Sequence, residues 1–145
     1  MKELFIPYTE ALELKELGFN EKCLAAYTNR GKFHQTSSDY WDNDSIKMIK
    51  EYTTIKLKVL APLYSQAFKW FRDKYNLILD ILPFYDEEQL PLSLTNKQKP
   101  KGYFIWDYYD DEFDLENSPN YKIYEEAELE CIRKLIEIVK KEQKK

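Results

Sequence analysis

Glycine is scarce in this chain: three residues in 145, against roughly 7% in ordinary usage. Gly18, Gly31 and Gly102 stand far apart, so no glycine-rich phosphate cradle can be assembled from them. A Walker loop, a dinucleotide fingerprint and a nucleophile elbow are all absent. Histidine is scarcer still. His34 stands alone, and with only Cys23 and Cys131 beside it the chain lacks the donors of a structural zinc site. Neither cysteine belongs to a CxxC pair, and each lies in an apolar pattern. They read as small buried hydrophobes, not as a disulfide framework. Nothing adjacent to either thiol activates it as a nucleophile. We therefore expect no cofactor, no bound metal and no catalytic residue, His34 included.

No apolar run approaches 18 residues, so no membrane partner is expected. Met1-Lys2-Glu3-Leu4 leads directly into an amphipathic segment without an apolar leader, which points to a cytoplasmic setting. An excess of positive charge is missing too. Lysine and arginine number 22 against 26 acids, for a formal net charge of −4, so the basic footprint of a nucleic-acid binder is not there. A 43% hydrophobic content excludes disorder, and the length suits one domain over 1–145.

What is abundant is aromatic: 12 Tyr, 8 Phe and 3 Trp. Most such rings fill a core, and a surplus marks a partner interface, where Tyr and Trp are enriched. Periodicity sorts the chain into elements. Residues 7–18 read as a helix, with Pro7 in the opening turn and Gly18 at its end. Residues 22–28 and 32–37 read as a hairpin, joined by Asn29-Arg30-Gly31 with glycine at the left-handed position. Residues 37–45 read as a polar loop around Tyr40 and Trp41, and 46–51 fit a helical turn or a strand equally. Alternation of Thr53, Ile55, Leu57 and Val59 with Lys56 and Lys58 reads as an edge strand. A second helix spans 62–75, and 77–84 reads as a buried strand ended by Pro83. Residues 85–101 form a long connection, expected to be mobile. Residues 102–109 are an aromatic strand, 120–123 a short strand, and 124–141 a last helix followed by a frayed tail at 142–145.

The three helices open alike, with Tyr8 to Ala11, Tyr64 to Ala67 and Tyr124 to Ala127. The echo suggests two α-β-β units, 7–37 and 62–109, closed by the last helix. The expected class is α+β: an antiparallel sheet of five to six strands covered by three helices.

Two groups of acids invite a chemical reading. Six acids fall between Asp107 and Glu116, but a calcium loop counted from Asp110 would put Leu115 where glycine is needed and Tyr121 where glutamate is needed. Asp80 and Asp107 lie among apolar neighbours. Either they form a carboxylate pair for metal-assisted hydrolysis, together with the 107–116 acids, or each caps a turn or pairs with a lysine. The aromatic strand beside lysines could also imitate a base-stacking platform for single-stranded nucleic acid.

Three stretches, Ile6 to Phe19, Gln66 to Tyr75 and Tyr124 to Ile136, resemble a family of short proteins from Bacteroides-group gut bacteria and their phages. The likeness covers about half of the chain. It implies a phage or mobile-element origin and a cytoplasmic setting, and since the family carries no assigned activity it transfers no functional residue. The leading expectation is a non-enzymatic binding or accessory protein that associates with itself or with another protein. Strand 102–109 has aromatics on both faces, and one face, Phe104, Trp106 and Tyr108 or else Tyr103 and Tyr109, is expected to lie open; the first set, extended by Tyr40 and Trp41, are the expected interaction residues. The carboxylate-based hydrolase and the single-stranded nucleic-acid binder are the alternatives.

Overall fold

The computed structural model describes residues 1–36, 40–52, 54–85, 99–110, 114, 116 and 118–145. Its helices are α1 (Tyr8–Glu16), α2 (Asn43–Tyr52), α3 (Tyr64–Tyr75) and α4 (Tyr124–Gln143). Its strands are β1 (Ala25–Thr28), β2 (Phe33–Gln35), β3 (Leu57–Ala61), β4 (Asp80–Phe84), β5 (Gly102–Trp106) and β6 (Asn120–Tyr121). The class is α+β, as expected. Among the described residues the single sheet expected is instead two antiparallel sheets of three strands, β2-β1-β3 and β4-β5-β6, and the α-helices are four. The central strands β1 and β5 each pair on both sides, which leaves β2, β3, β4 and β6 as the edge strands. Contacts group the chain into two compact units: Met1–Asn76 with Ile136–Lys145, and Leu77–Leu135. The long connection at 85–101 lies, apart from its ends, outside the described residues.

The first unit is built on Tyr27 of β1. Its ring is 1% exposed, and its hydroxyl donates to the Ile6 carbonyl at 2.9 Å. Tyr8 and Phe33 meet that ring edge-on, at 5.6 Å each, and Phe5 lies against Phe33. Burial, then the nearby Glu10 carboxylate, pushes the Tyr27 phenol above its usual range, so the ring stays a neutral donor. The Ile6 amide in turn donates to the Pro62 carbonyl, tying the N-terminal segment beside the start of α3.

The β1–β2 loop forms as its sequence predicts. Gly31 takes φ +76°, and the Thr28 hydroxyl accepts from the Arg30 and Lys32 amides. Helix α1 ends at Gly18, φ +93°, and the Leu17 carbonyl accepts from Lys74 Nζ and the Tyr75 hydroxyl of α3. Lys74 also lies over the Trp70 ring. Ala11, Ala67 and Ala127 are all buried one turn into their helices, which lets each backbone approach closely. The α-β-β echo does not become a repeat, however. Helix α3 belongs to the first unit and β4–β5 to the second.

Three boundaries differ from the sequence reading. Helix α2 begins inside the expected 37–45 loop and takes in the ambiguous 46–51 stretch, because Asp42 caps it: Oδ1 accepts from the Ser45 amide at 2.8 Å and from the Ser45 hydroxyl at 2.9 Å. Ile55, expected to point inward, is exposed, since the strand starts only at Leu57. β4 was expected to be buried, yet no residue between Asp80 and Phe84 is. It is an edge of its sheet, the place where a proline lacking an N–H can be tolerated.

Two substitutions test this reading. Tyr27→Phe leaves a buried carbonyl without its donor, and urea unfolding should show a loss of about 1–3 kcal/mol. The Asp42 carboxyl is held below the usual range, first by the Ser45 N–H and then by the Ser45 hydroxyl. A depressed folded-state pKa means that the cap stabilises above the ordinary aspartate value of about 3.9 and is lost as pH falls through the folded-state value. Asp42→Ala should therefore lower the thermal midpoint at neutral pH. Asp42→Asn should match the parent there and lose less than the parent as pH falls below about 4. Identical acid profiles for parent and Asn variant would contradict the cap.

Candidate interaction surface

Register fixes the two faces of the second sheet. Asp80, Leu82 and Phe84 stand opposite Trp106, Phe104 and Gly102, and Asn120 stands opposite Phe104. Directly opposed residues share a face, so these side chains lie on one side and Ile81, Pro83, Tyr103, Ile105 and Tyr121 on the other. Helix α4 occupies the second side. Tyr103 meets Tyr124 edge-on at 5.4 Å, Ile105 is 4% exposed, and Asp107, continuing the same alternation, brings Oδ2 within 3.7 Å of Lys134 Nζ.

The first side stays partly open. Leu82 is 37% exposed, and Phe84, Phe104 and Trp106 are half-buried. Trp106 continues into Tyr108, whose ring lies 6.2 Å away and is 58% exposed. The Tyr108 hydroxyl donates to Asp80 Oδ2 at 2.5 Å, and this bond is the main cause of a phenol pKa above the usual range. Tyr109 is held by its amide to Asp107 Oδ1 at 2.9 Å and by its hydroxyl, which accepts from the Ile78 amide at 3.0 Å.

At the opposite end of the strand lies a cleft of about 230 Å³ lined by Phe84, Phe104, Glu116, Ser118 and Asn120. Gly102 is its structural condition. A Cβ there would sit 2.7 Å from Phe84 Cε1 and 2.7 Å from the Tyr121 carbonyl oxygen. The Phe84 ring thus occupies the space where a side chain of β5 would stand.

Of the expected interaction residues, Phe104, Trp106 and Tyr108 come together on this face. Tyr40 and Trp41 belong to the first unit. Tyr40 is exposed, and Trp41 is half-buried and exchanges two backbone hydrogen bonds with Cys23, at 2.7 and 2.8 Å. Leu82, Phe84 and the cleft residues Glu116, Ser118 and Asn120 were not anticipated. For Leu82 and Phe84 the signal was present, as alternate positions in the 77–84 run.

The groups considered for catalysis are otherwise engaged. Asp80 accepts from Tyr108, and Asp107 serves both as a turn acceptor and as a partner of Lys134. Burial pushes the Cys23 and Cys131 thiols up to about 12, far from the thiolate needed for attack. His34, on β2 opposite Ala26, is half-buried. Among the described residues no three His, Cys, Asp or Glu side chains converge on a metal-sized site. No helix among the described residues is long and apolar enough to cross a membrane. In the acidic turn Asp110, Asp114 and Glu116 are exposed, while 111–113 and 115 fall outside the described residues. Comparisons of the chain with protein-family models, with curated proteins and with solved structures found no match.

Gly102→Ala forces the Phe84 ring aside and presses on a backbone carbonyl, which does not yield as a flexible side chain does. Chemical denaturation should register a loss of about 1–3 kcal/mol. A variant as stable as the parent would show that the ring and strand move apart freely.

Proposed function

We propose that the protein is a non-enzymatic binding module, of the accessory kind found in phages and mobile elements, and that it pairs with a second copy through the open face of the β4-β5-β6 sheet. The observation that carries this reading is the half-open, aromatic even-numbered side of that sheet. Its even-numbered side carries Leu82, Phe84, Phe104, Trp106 and Tyr108 in contact with solvent, while α4 is spent on the odd-numbered side. A run of apolar surface rimmed by polar groups marks an interaction site in a soluble protein. Trp and Tyr are the residues that most often anchor such sites, and two-fold self-association is the commonest assembly. The bonds of Asp80 to Tyr108 and of Asp107 to Lys134 and the Tyr109 amide argue against these two acids as a hydrolytic carboxylate pair.

Sedimentation equilibrium at tens of micromolar should find a species near twice the 17.6 kDa chain mass. Trp106→Ala should weaken it by about tenfold or more, the usual scale for a buried aromatic anchor, and Tyr108→Ala should weaken it less. A single 17.6 kDa species, or a dimer indifferent to both substitutions, would overturn the proposal.

A further inference from the structure

The cleft at the Gly102 end of the aromatic face lies wholly within one compact unit. Its volume of about 230 Å³ falls below the roughly 300–1,000 Å³ of small-molecule sites, so it suits the head of one side chain and not a whole drug-sized ligand. The spacing of its walls decides what shape fits. Phe84 stands where residue 102 has no side chain, two residues along β5 from Phe104. At about 3.4 Å per residue the two rings are carried roughly 7 Å apart, room for one planar group in van der Waals contact on each side. Among the described residues neither ring meets the other or any third ring.

The remaining walls are polar. Asn120 stands opposite Phe104, and Glu116 and Ser118 complete the lining. Glu116 is exposed, its amide donates to Asp114 Oδ1 at 2.9 Å, and its carboxylate has no ion pair among the described residues. Lys101 and Lys122, at this end of the sheet, are not among the walls. Among the described residues the one charged side chain lining the cleft is therefore negative.

A planar cation satisfies both halves of this lining. The guanidinium of arginine can lie against aromatic faces while its in-plane N–H groups reach a carboxylate and a carboxamide oxygen. A lysine ammonium carries the charge but is not planar, and a neutral amide is planar but leaves the carboxylate unpaired. We propose that the Phe84–Phe104 cleft binds the guanidinium of an arginine side chain presented by a partner polypeptide. A cleft too small to enclose a whole ligand holds an anchor residue, and arginine shares that role with tryptophan and tyrosine in protein interfaces. The site is complete in one chain and lies at the far end of β5 from Trp106, so it goes beyond the self-association reading and does not rest on it.

Titration of a blocked pentapeptide, glycine-serine-arginine-serine-glycine, into the full chain tests this, followed by the NMR shifts of the Gly102 amide and the Asn120 carboxamide. Both should move and saturate. The same peptide with lysine, or with citrulline, which is planar but neutral, should bind at least about threefold more weakly. Glu116→Gln and Phe104→Leu should each weaken binding of the arginine peptide by about two- to fivefold, the scale of an exposed ion pair or cation–π contact. Glu125→Gln removes the same charge from an exposed position in α4 outside the cleft and should leave the affinity within about 1.5-fold of the parent. The titration is repeated on Trp106→Ala at a concentration where sedimentation equilibrium finds it monomeric, so that no second copy covers the face. Saturable shifts in the parent or in this variant support the site. No saturable shift in either, equal binding of the lysine or citrulline peptide, or equal weakening by Glu125→Gln would overturn it. Sedimentation of the parent reads self-association separately, so the failure of one reading is distinguished from the failure of the other.

Discussion

The buried hydroxyl of Tyr27 is the constraint on which the first unit is organised. A phenol at the middle of a central strand must find an acceptor, and the acceptor is the Ile6 carbonyl, supplied by a segment twenty-one residues earlier. Because Ile6 is held there, its amide can reach Pro62, which stands just before α3. The rings of Tyr8 and Phe33 close around the same phenol. One hydrogen bond that cannot be exchanged for water thus aligns the chain start, the first helix, the hairpin and the strand-to-helix junction. Elsewhere in the unit the same logic recurs on a smaller scale at the Leu17 carbonyl, where Lys74 and Tyr75 supply the donors that a helix end lacks.

The second sheet is governed by parity. Along β5 and its continuation, odd-numbered residues meet α4, from the Tyr103–Tyr124 contact to the Asp107–Lys134 pair. Even-numbered residues carry the open rings, and the Tyr108–Asp80 bond ties the two strands on that side. Polar and apolar groups therefore serve both faces. Asp107 and Asp80, which look alike in sequence, are separated by this alternation and do different structural work.

Much of this was legible in the residues. Pro7, Gly18 and the helical spacing marked α1, Asn29-Arg30-Gly31 marked its hairpin, and the Lys56 and Lys58 alternation marked an edge strand. The strong periodicity of 64–75 and 124–141 marked the longer helices. Boundaries failed where a side chain competes with a pattern. Asp42 followed by Ser45, Ile46 and Ile49 is a capped helix start, but the surrounding Asp, Asn and Ser residues imitate a loop. The division into two sheets could not be read from strands alone, because pairing partners are chosen in space and every strand here is short. The site was half legible. Aromatics on alternate positions of 102–109 announced an uncovered face, while the cleft depends on which residue stands opposite Gly102, and that is a matter of register. Asp80 and Asp107 showed why an acid among apolar neighbours is a weak sign of catalysis: a tyrosine hydroxyl, a backbone amide and a lysine satisfy them.

Pro83 sits on the edge strand β4 and has no N–H to offer a further strand. Strand addition reads mainly backbone and tolerates almost any sequence in the incoming chain. With that route interrupted on this edge, what β4 offers its surroundings is mainly the side chains standing on the sheet face. Those positions are few and stand off the backbone ladder, so a substitution there changes the chemistry of the face while the pairing beneath stays unchanged. A sheet built this way can change its outward chemistry at little cost to the hydrogen bonds that hold it.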